Sequence, residues 1–343
     1  MLAVTFQEPG RVALEERPDP EPVAPDDAVV RVEASGICGS DLHIYHGRVQ
    51  IEPGFIIGHE YVGTVAAAGD AVALDVGERV LGTFHTACGA CFFCRRGIYQ
   101  KCDEARVFGH GATLGSLQGT QAQLALVPRA NLTLRRVPDG LSDGTALFAG
   151  DVMGTGYHAV VAAGLRAGDT CAVIGLGPVG LCAVMAAQVA GASKVIAVDT
   201  VDDRLEMARS LGAEPVHATE EDPRKAVKAG TQVGGVDVAV EAVGHPAALD
   251  TACRLARKGG TVSVVGVYTE RVELHMGVVW IKSLNIVTGH ANVMGHLDSV
   301  LALLASGRLD VSPLVSREMR LEDAPEAYAA YDRHEALKIL LRT

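Results

Sequence analysis

Aromatic residues make up only 4% of the chain, and one tryptophan, Trp280, stands among 343 residues. A binding surface built from aromatic rings is therefore not its main device. Basic runs are missing too: no Lys/Arg stretch exceeds pairs such as Arg95/Arg96 and Arg135/Arg136, and the net charge is −11. Nucleic acid and anionic membranes call for a clustered basic face, so neither is an expected partner. No segment approaches eighteen uninterrupted apolar residues, and the opening MLAVTFQEPGRVALEERPDP has no basic stretch followed by an apolar one. A cytoplasmic chain is the expectation. Disulfides are rare in that compartment, where clustered cysteines bind metal or do redox chemistry.

Glycine is abundant, with 39 residues against 14 prolines, and points to tight turns and close backbone approaches. A chain that is 48% hydrophobic and 21% charged suits a soluble globular protein of about two domains, at roughly 100 to 200 residues each. Up to about residue 150 the texture is short apolar runs broken by Gly, Pro and Asp: AVTF, DAVVRVEASG, FIIGHEYVGTVAAAG, ERVLGTF, AQLALVP. Such runs read as antiparallel strands of a small barrel-like domain. From about 155 to 290 strand-like TCAVIGLG, KVIAVD, VDVAVEAVG and TVSVVGV alternate with helical PVGLCAVMAAQVAG, DRLEMARSLGA and HPAALDTACRLARKG. That alternation predicts right-handed βαβ units and a doubly wound parallel sheet, an α/β architecture. The end of the chain returns to other material, an amphipathic helix in VMGHLDSVLALLASGRLD and a closing helix and strand in AYAAYDRHEALKILLRT.

Residues 175 to 180 read GLGPVG, the pattern G-x-G-x-x-G, between the apolar strand TCAVI and a helix beginning at Pro178. Gly175 permits the tight turn, Gly177 lets the backbone approach a pyrophosphate, and Gly180 lets helix pack on strand, with Pro178 and Val179 completing the loop. Free N–H groups at the helix start would take the phosphates. A purely structural strand-turn-helix is the alternative. Nineteen residues after Gly180 the next strand ends in Asp199, a carboxylate that can accept from both ribose hydroxyls of NAD and would repel a 2′-phosphate. Arg204 lies just beyond as a further cofactor contact. The expectation is NAD(H) over NADP(H).

Cys88, Cys91, Cys94 and Cys102 have the spacing C-x2-C-x2-C-x7-C. Four thiolates at about 2.3 Å from one ion form the closed shell of structural zinc. Iron–sulfur ligation also uses two-residue gaps, and a C-x-x-C redox pair would explain two of the four. Arg95, Arg96 and Lys101 would offset the negative charge of such a site. Cys171, Cys182 and Cys253 fall on apolar faces as core residues. The eighth cysteine, Cys38, lies in SGICGSDLHIYHG, followed 21 residues later by His59 and Glu60 in IIGHEYVG and far downstream by Asp151 in FAGDVMGTGYH. A cysteine, a histidine and a carboxylate from separate glycine-rich segments could make an open zinc site with a position left for water or substrate.

CGSDLH, GHE, the cysteine-rich loop and GLGPVG, in this order and spacing over essentially the whole chain, resemble the zinc-dependent medium-chain alcohol dehydrogenases. The resemblance implies a GroES-like, mostly-β catalytic domain from residues 1–154 and 288–343, with a zinc lobe at 86–104, a Rossmann domain at 155–287 and an active site in the cleft. It implies two zinc ions per chain: a catalytic one on Cys38, His59 and Asp151, with Glu60 able to exchange with bound water, and a structural one on the four clustered cysteines. It further implies that zinc lowers the pKa of a bound alcohol, which gives a hydride to NAD, and that the proton leaves through Ser40 and His43. The alternative for those two is that they satisfy loop hydrogen bonds. Asp151 as third ligand, where many relatives use cysteine, resembles the bacterial secondary-alcohol and formaldehyde dehydrogenase branches; a carboxylate in place of a thiolate should leave the zinc a stronger Lewis acid. Kinship also implies a dimer or tetramer, with TVSVVGV and YTERVELHMGVVW extending a sheet across a subunit boundary. The substrate is a small alcohol or aldehyde, and His46, Phe84, His110 and Trp280 are candidate pocket linings. A polyol or threonine dehydrogenase on the same machinery, or a non-catalytic zinc and dinucleotide-binding protein, are the other readings.

Overall fold

Fifteen strands run along the chain: β1 (Leu2–Glu8), β2 (Arg11–Glu16), β3 (Ala28–Gly36), β4 (Glu60–Ala68), β5 (Arg79–Gly82), β6 (Leu124–Val127), β7 (Leu134–Arg136), β8 (Thr170–Ile174), β9 (Lys194–Asp199), β10 (Glu214–His217), β11 (Val236–Glu241), β12 (Ala256–Val264), β13 (Asn285–Thr288), β14 (Arg317–Arg320) and β15 (Ile339–Arg342). The structure, a computed structural model, describes residues 1–343 and divides into a unit of residues 1–154 with 292–343 and a unit of residues 155–291. No helix is long and apolar enough to cross a membrane.

In the first unit a seven-stranded sheet has the order β14-β15-β3-β4-β5-β7, with β6 also paired to β3, and β1 and β2 form a separate antiparallel pair. The C-terminal β15 joins antiparallel to β3, Leu340 opposite Gly36, so the two ends of the chain share one sheet. β-Branched Val30, Val32, Val65 and Val80 bury one face and, with Phe108 and Leu134, make one core. Phe6, Val12, Ile44, Ile57, Ile339 and Leu341 pack a second against the helix Ala324–Asp332. Each fully buried aliphatic side chain contributes about 1.5–3 kcal/mol of transfer free energy.

The second unit is a parallel sheet of order β10-β9-β8-β11-β12-β13, the doubly wound arrangement expected from the alternating pattern. Its strands read as continuous apolar runs because helices cover both faces, with Ala172, Ile196, Val198, Val216, Ala239 and Val262 in the core. Two local expectations are corrected. The helix in HPAALDTACRLARKG spans only Pro246–Leu255, and Ala256 already opens β12; β12 pairs with β11 at Ala256 and again from Thr261, and Arg257 and Lys258 fall in the irregularity between, with Gly259 at φ +70°. YTERVELHMGVVW contains no strand: it ends in the helix Met276–Lys282, and the edge strand is β13.

Candidate metal centres and dinucleotide site

Three separate segments bring the mixed donor set together. Cys38 ends the run out of β3 and caps the helix Gly39–Tyr45, where Asp41 Oδ2 accepts from the Cys38 N–H at 2.9 Å. His59 and Glu60 open β4, and Asp151 follows the tight turn Phe148–Gly150. The ligand atoms of Cys38, His59, Glu60 and Asp151 all lie within 4.8 Å of one another, and all four residues are buried. Asp151 Oδ2 is 3.3 Å from Cys38 Sγ and 3.2 Å from His59 Nε2. Ser40 Oγ is 3.3 Å from the same His59 nitrogen.

Behind these donors stands a layer that fixes their orientation. His59 Nδ1 faces Asp41 Oδ1 at 3.1 Å, which turns Nε2 toward Cys38 and Asp151. A carboxylate on the far ring nitrogen is what a metal-bound imidazole requires. Asp41 is in turn reached by Gln121 Nε2 at 3.5 Å, which also donates to Gly36 O at 3.0 Å, and Gln121 Oε1 accepts from Tyr328 at 2.8 Å. Glu60 is paired with Lys338, whose Nζ donates to Glu60 Oε1 at 2.6 Å and to the Ile37 carbonyl at 3.0 Å. Both side chains are fully buried. A Cβ on Gly36 would collide with the Glu60 carboxylate, so glycine there makes room for the pair.

The electrostatics fit a divalent cation. Burial, with Asp151 adding to it, pushes the Cys38 thiol up to about 11. Burial raises Glu60 to about 7 against the pull of Lys338. Burial alone would raise Asp151 and lower His59, yet their mutual contact holds Asp151 well below the usual carboxylate range, and Asp41 and Asp151 lift His59 well above its ordinary value. A divalent cation would displace the protons of the Cys38 thiol and of His59 and take up the charge that buried Asp41, Glu60 and Asp151 bring against one buried lysine. One sulfur, one imidazole and carboxylate oxygen are zinc ligands of the open, catalytic type.

The second cluster is local. Cys88, Cys91, Cys94 and Cys102 again have ligand atoms within 4.8 Å, and none of the eight cysteines is in a disulfide. Backbone N–H groups point at the sulfurs: Cys88 to Cys102 Sγ at 3.2 Å, Cys91 to Cys88 Sγ at 3.3 Å, Cys94 to Cys91 Sγ at 3.5 Å. Those amides lower Cys91 to about 6, whereas burial raises Cys94 to about 12. Gly97, with φ +70°, ends the short turn Cys94–Arg96. Arg95 donates to the Ala90 carbonyl, and Arg96 lies 3.6 Å over the Phe92 ring.

In the second unit Gly175 takes φ +88° after β8, and Gly177 caps the helix Pro178–Val189. A Cβ on Gly180 would strike the Gly175 carbonyl, while one on Gly177 would meet nothing within 4 Å. Gly180 therefore serves helix-on-strand packing, and the backbone at Gly177 is open to an approaching ligand. The loop lies where the strand order reverses between β8 and β11, the switch point at which open α/β sheets bind ligands. Asp199, at the end of β9, accepts from the amides of Leu176 at 2.6 Å and Thr200 at 2.6 Å. Val179 continues the helix, and half-buried Arg204 lies in the helix Asp202–Ser210.

Of the candidate linings, Phe84 and His110 are ring neighbours of His59, with centroids at 6.4 and 5.2 Å. Burial and nearby His59 push His110 down from its ordinary value. His46 instead pairs with Asp332 at 2.7 Å at the surface, and Trp280 is 77% exposed in the second unit. Sequence reasoning missed Asp41, Gln121, Tyr328 and Lys338. A lysine inside the apolar run ALKILL was the one legible signal among them. It also missed Glu241, buried at the end of β11, which accepts from Val243 and Gly244 N–H at 2.8 Å each and shapes the loop beside Gly175.

Residues 24–139 match the family described as alcohol dehydrogenase GroES-like domain, and residues 178–306 match zinc-binding dehydrogenase. An alcohol dehydrogenase from Cupriavidus necator is 34% identical over 100% of this chain and 98% of its own length. The solved structure of alcohol dehydrogenase TADH from Thermus sp. ATN1 superposes with a TM-score of 0.97 at 47% identity, covering 100% of this chain and 99% of that one. A zinc-binding dehydrogenase from Sinorhizobium meliloti, solved bound to NADP, superposes at 0.89 with 30% identity, covering 100% and 99%. The chain belongs to the zinc-dependent medium-chain alcohol dehydrogenases. It is thereby an oxidoreductase acting on alcohols, with zinc and a nicotinamide dinucleotide as cofactors.

Proposed function

We propose that the chain is an NAD-dependent alcohol dehydrogenase holding two zinc ions, a catalytic one on Cys38, His59 and Asp151 and a structural one on Cys88, Cys91, Cys94 and Cys102. The observation that carries the reading is the convergence of buried sulfur, imidazole and carboxylate donors within 4.8 Å, each from a different segment. Bound zinc supplies Lewis acidity that lowers the pKa of an alcohol hydroxyl. The net reaction takes a hydride from the carbinol carbon and releases the hydroxyl proton.

The chain's own residues do the rest. Asp41 holds His59 in its ring orientation, and Lys338 pairs with Glu60, the carboxylate beside the three donors. Ser40, beside His59 Nε2, is placed to take the hydroxyl proton. His43 follows three residues later on the same helical face, and its Nδ1 has no hydrogen-bond partner. It is the exit toward solvent, its pKa lowered by burial and by Arg48 and His46.

Asp199 supports NAD over NADP, because its carboxylate at the end of β9 would lie against a 2′-phosphate. The S. meliloti relative was solved with NADP, so the preference rests on this side chain. Exposed Met276, Trp280, Ile281 and Ile286 lie on or beside the unpaired edge strand β13 and support a homo-oligomer joined there. A monomer in light scattering would remove that assembly.

The test is the initial rate of NADH formation by zinc-loaded protein on primary alcohols, secondary alcohols, polyols, threonine and formaldehyde, with kcat/KM compared for NAD and NADP. Turnover with NAD preferred supports the reading, and the panel separates the secondary-alcohol from the formaldehyde-dehydrogenase-like branch. No turnover, with dinucleotide still bound, would point to a binding protein instead.

A further inference from the structure

His110 is held beside the mixed-donor centre by a loop with no slack. Gly109 has φ +70°, and a Cβ on it would come within 2.7 Å of both Gly58 N and O, the residue just before His59. Its own N–H donates to Leu117 O at 2.9 Å. On the other side Gly111 has φ +67°, and a Cβ there would meet Ile51 at 2.6 Å. Phe108, fully buried, anchors the strand of the loop edge-on against Tyr61, ring centroids 5.4 Å apart. The His110 ring between these glycines is 9% exposed and sits edge-on to His59.

The ring's chemistry is fixed by one contact. His110 Nδ1 lies 2.9 Å from the Phe108 carbonyl oxygen. A carbonyl only accepts, so Nδ1 carries the proton and Nε2 of the neutral ring is an acceptor. The only hydrogen bond of the imidazole is the one to Phe108, so Nε2 has no protein partner. It is not among the side-chain polar atoms sealed from solvent without a partner, so it is open to a ligand. A side chain placed here only to fill space would be apolar, as Phe84, the other ring beside His59, is.

Resting on the alcohol dehydrogenase reading above, we propose that His110 Nε2 accepts a hydrogen bond from a second hydroxyl of the substrate, on the carbon next to the carbinol, and so selects vicinal diols over simple alcohols. Phe84 supplies the apolar wall of the same subsite. A simple alcohol offers this acceptor no donor, and sites built to hydrogen-bond a hydroxyl discriminate against analogues that lack it.

The experiment measures kcat/KM for 1,2-butanediol, 1-butanol and 2-butanol with NAD, using zinc-loaded wild type, His110→Phe and His110→Gln, each checked for zinc content and thermal midpoint. The readout is the ratio of diol to monoalcohol within each protein. Wild type is expected to favour the diol by about tenfold or more, the worth of one hydrogen bond to this acceptor. His110→Phe should erase the ratio, and His110→Gln, which keeps an acceptor oxygen, should retain much of it. A wild type that oxidises the butanols without preferring the diol overturns the proposal and leaves the dehydrogenase reading standing. So does a preference that survives in His110→Phe. Failure to oxidise any of the three alcohols, or others, strikes the dehydrogenase reading itself.

Discussion

The two cysteine-bearing centres of the first unit are built in opposite ways. The four-cysteine lobe is one continuous stretch of fifteen residues, 88 to 102, whose own backbone amides orient its sulfurs. The mixed-donor centre draws on residues 38, 59, 60 and 151, with Asp41, Gln121, Tyr328 and Lys338 behind them. A local centre needs little beyond its own loop. A dispersed one needs the whole sheet, and gains from it a buried position whose charges are set by several partners at once.

That contrast can be broken experimentally. The largest effect is expected from Cys94→Ser, which should empty the lobe: metal analysis should give one zinc fewer per chain while the mixed-donor centre keeps its own. Loss of both metals would mean that the two centres are not independent. Next comes Lys338→Met, which leaves Glu60 buried without its partner and should lower unfolding free energy in denaturant by about 3–5 kcal/mol. A change below about 1 kcal/mol, the size of an ordinary substitution, would show that Glu60 simply becomes neutral. Asp41→Asn should weaken metal at the mixed-donor centre by about 10–100-fold in chelator competition, with the lobe unaffected; equal weakening at both would refute a selective role for Asp41. The smallest effect belongs to the lobe again. Gly97→Ala meets no atom within 4 Å and should cost only the left-handed backbone, about 1 kcal/mol, whereas Gly36→Ala should cost more because its Cβ strikes Glu60.

The same contrast explains what could be read in the sequence. The cysteine spacing and GLGPVG are local, so the residues carry their own geometry, and the alternating strands and helices of the second unit follow from apolar period alone. Asp151 is different: nothing in the 112 intervening residues brings it to Cys38, and the glycine-rich segments only suggested the grouping that the resemblance to a family assigns. The roles of Lys338 and Tyr328 could not be read because their partners lie 278 and 207 residues away, even though a lysine inside ALKILL stands out. The misread end of the helix Pro246–Leu255 has a similar cause. Arg257 and Lys258 continue a plausible helical face, and only the pairing of β12 with β11 on either side of them decides otherwise.

The place of Lys338 in the chain also bears on synthesis. It is made 278 residues after Glu60, just before β15, which closes the sheet against β3. Until it arrives, Glu60 has no cation to face, and Ile37 lacks the bond that steadies the turn into Cys38. A nascent chain can therefore close its cysteine lobe early, while the mixed-donor centre waits for Lys338 and β15. A chain lacking both would keep the lobe and the dinucleotide loop and yet leave Glu60 without its cation, so damage to that distant strand would be felt at the centre.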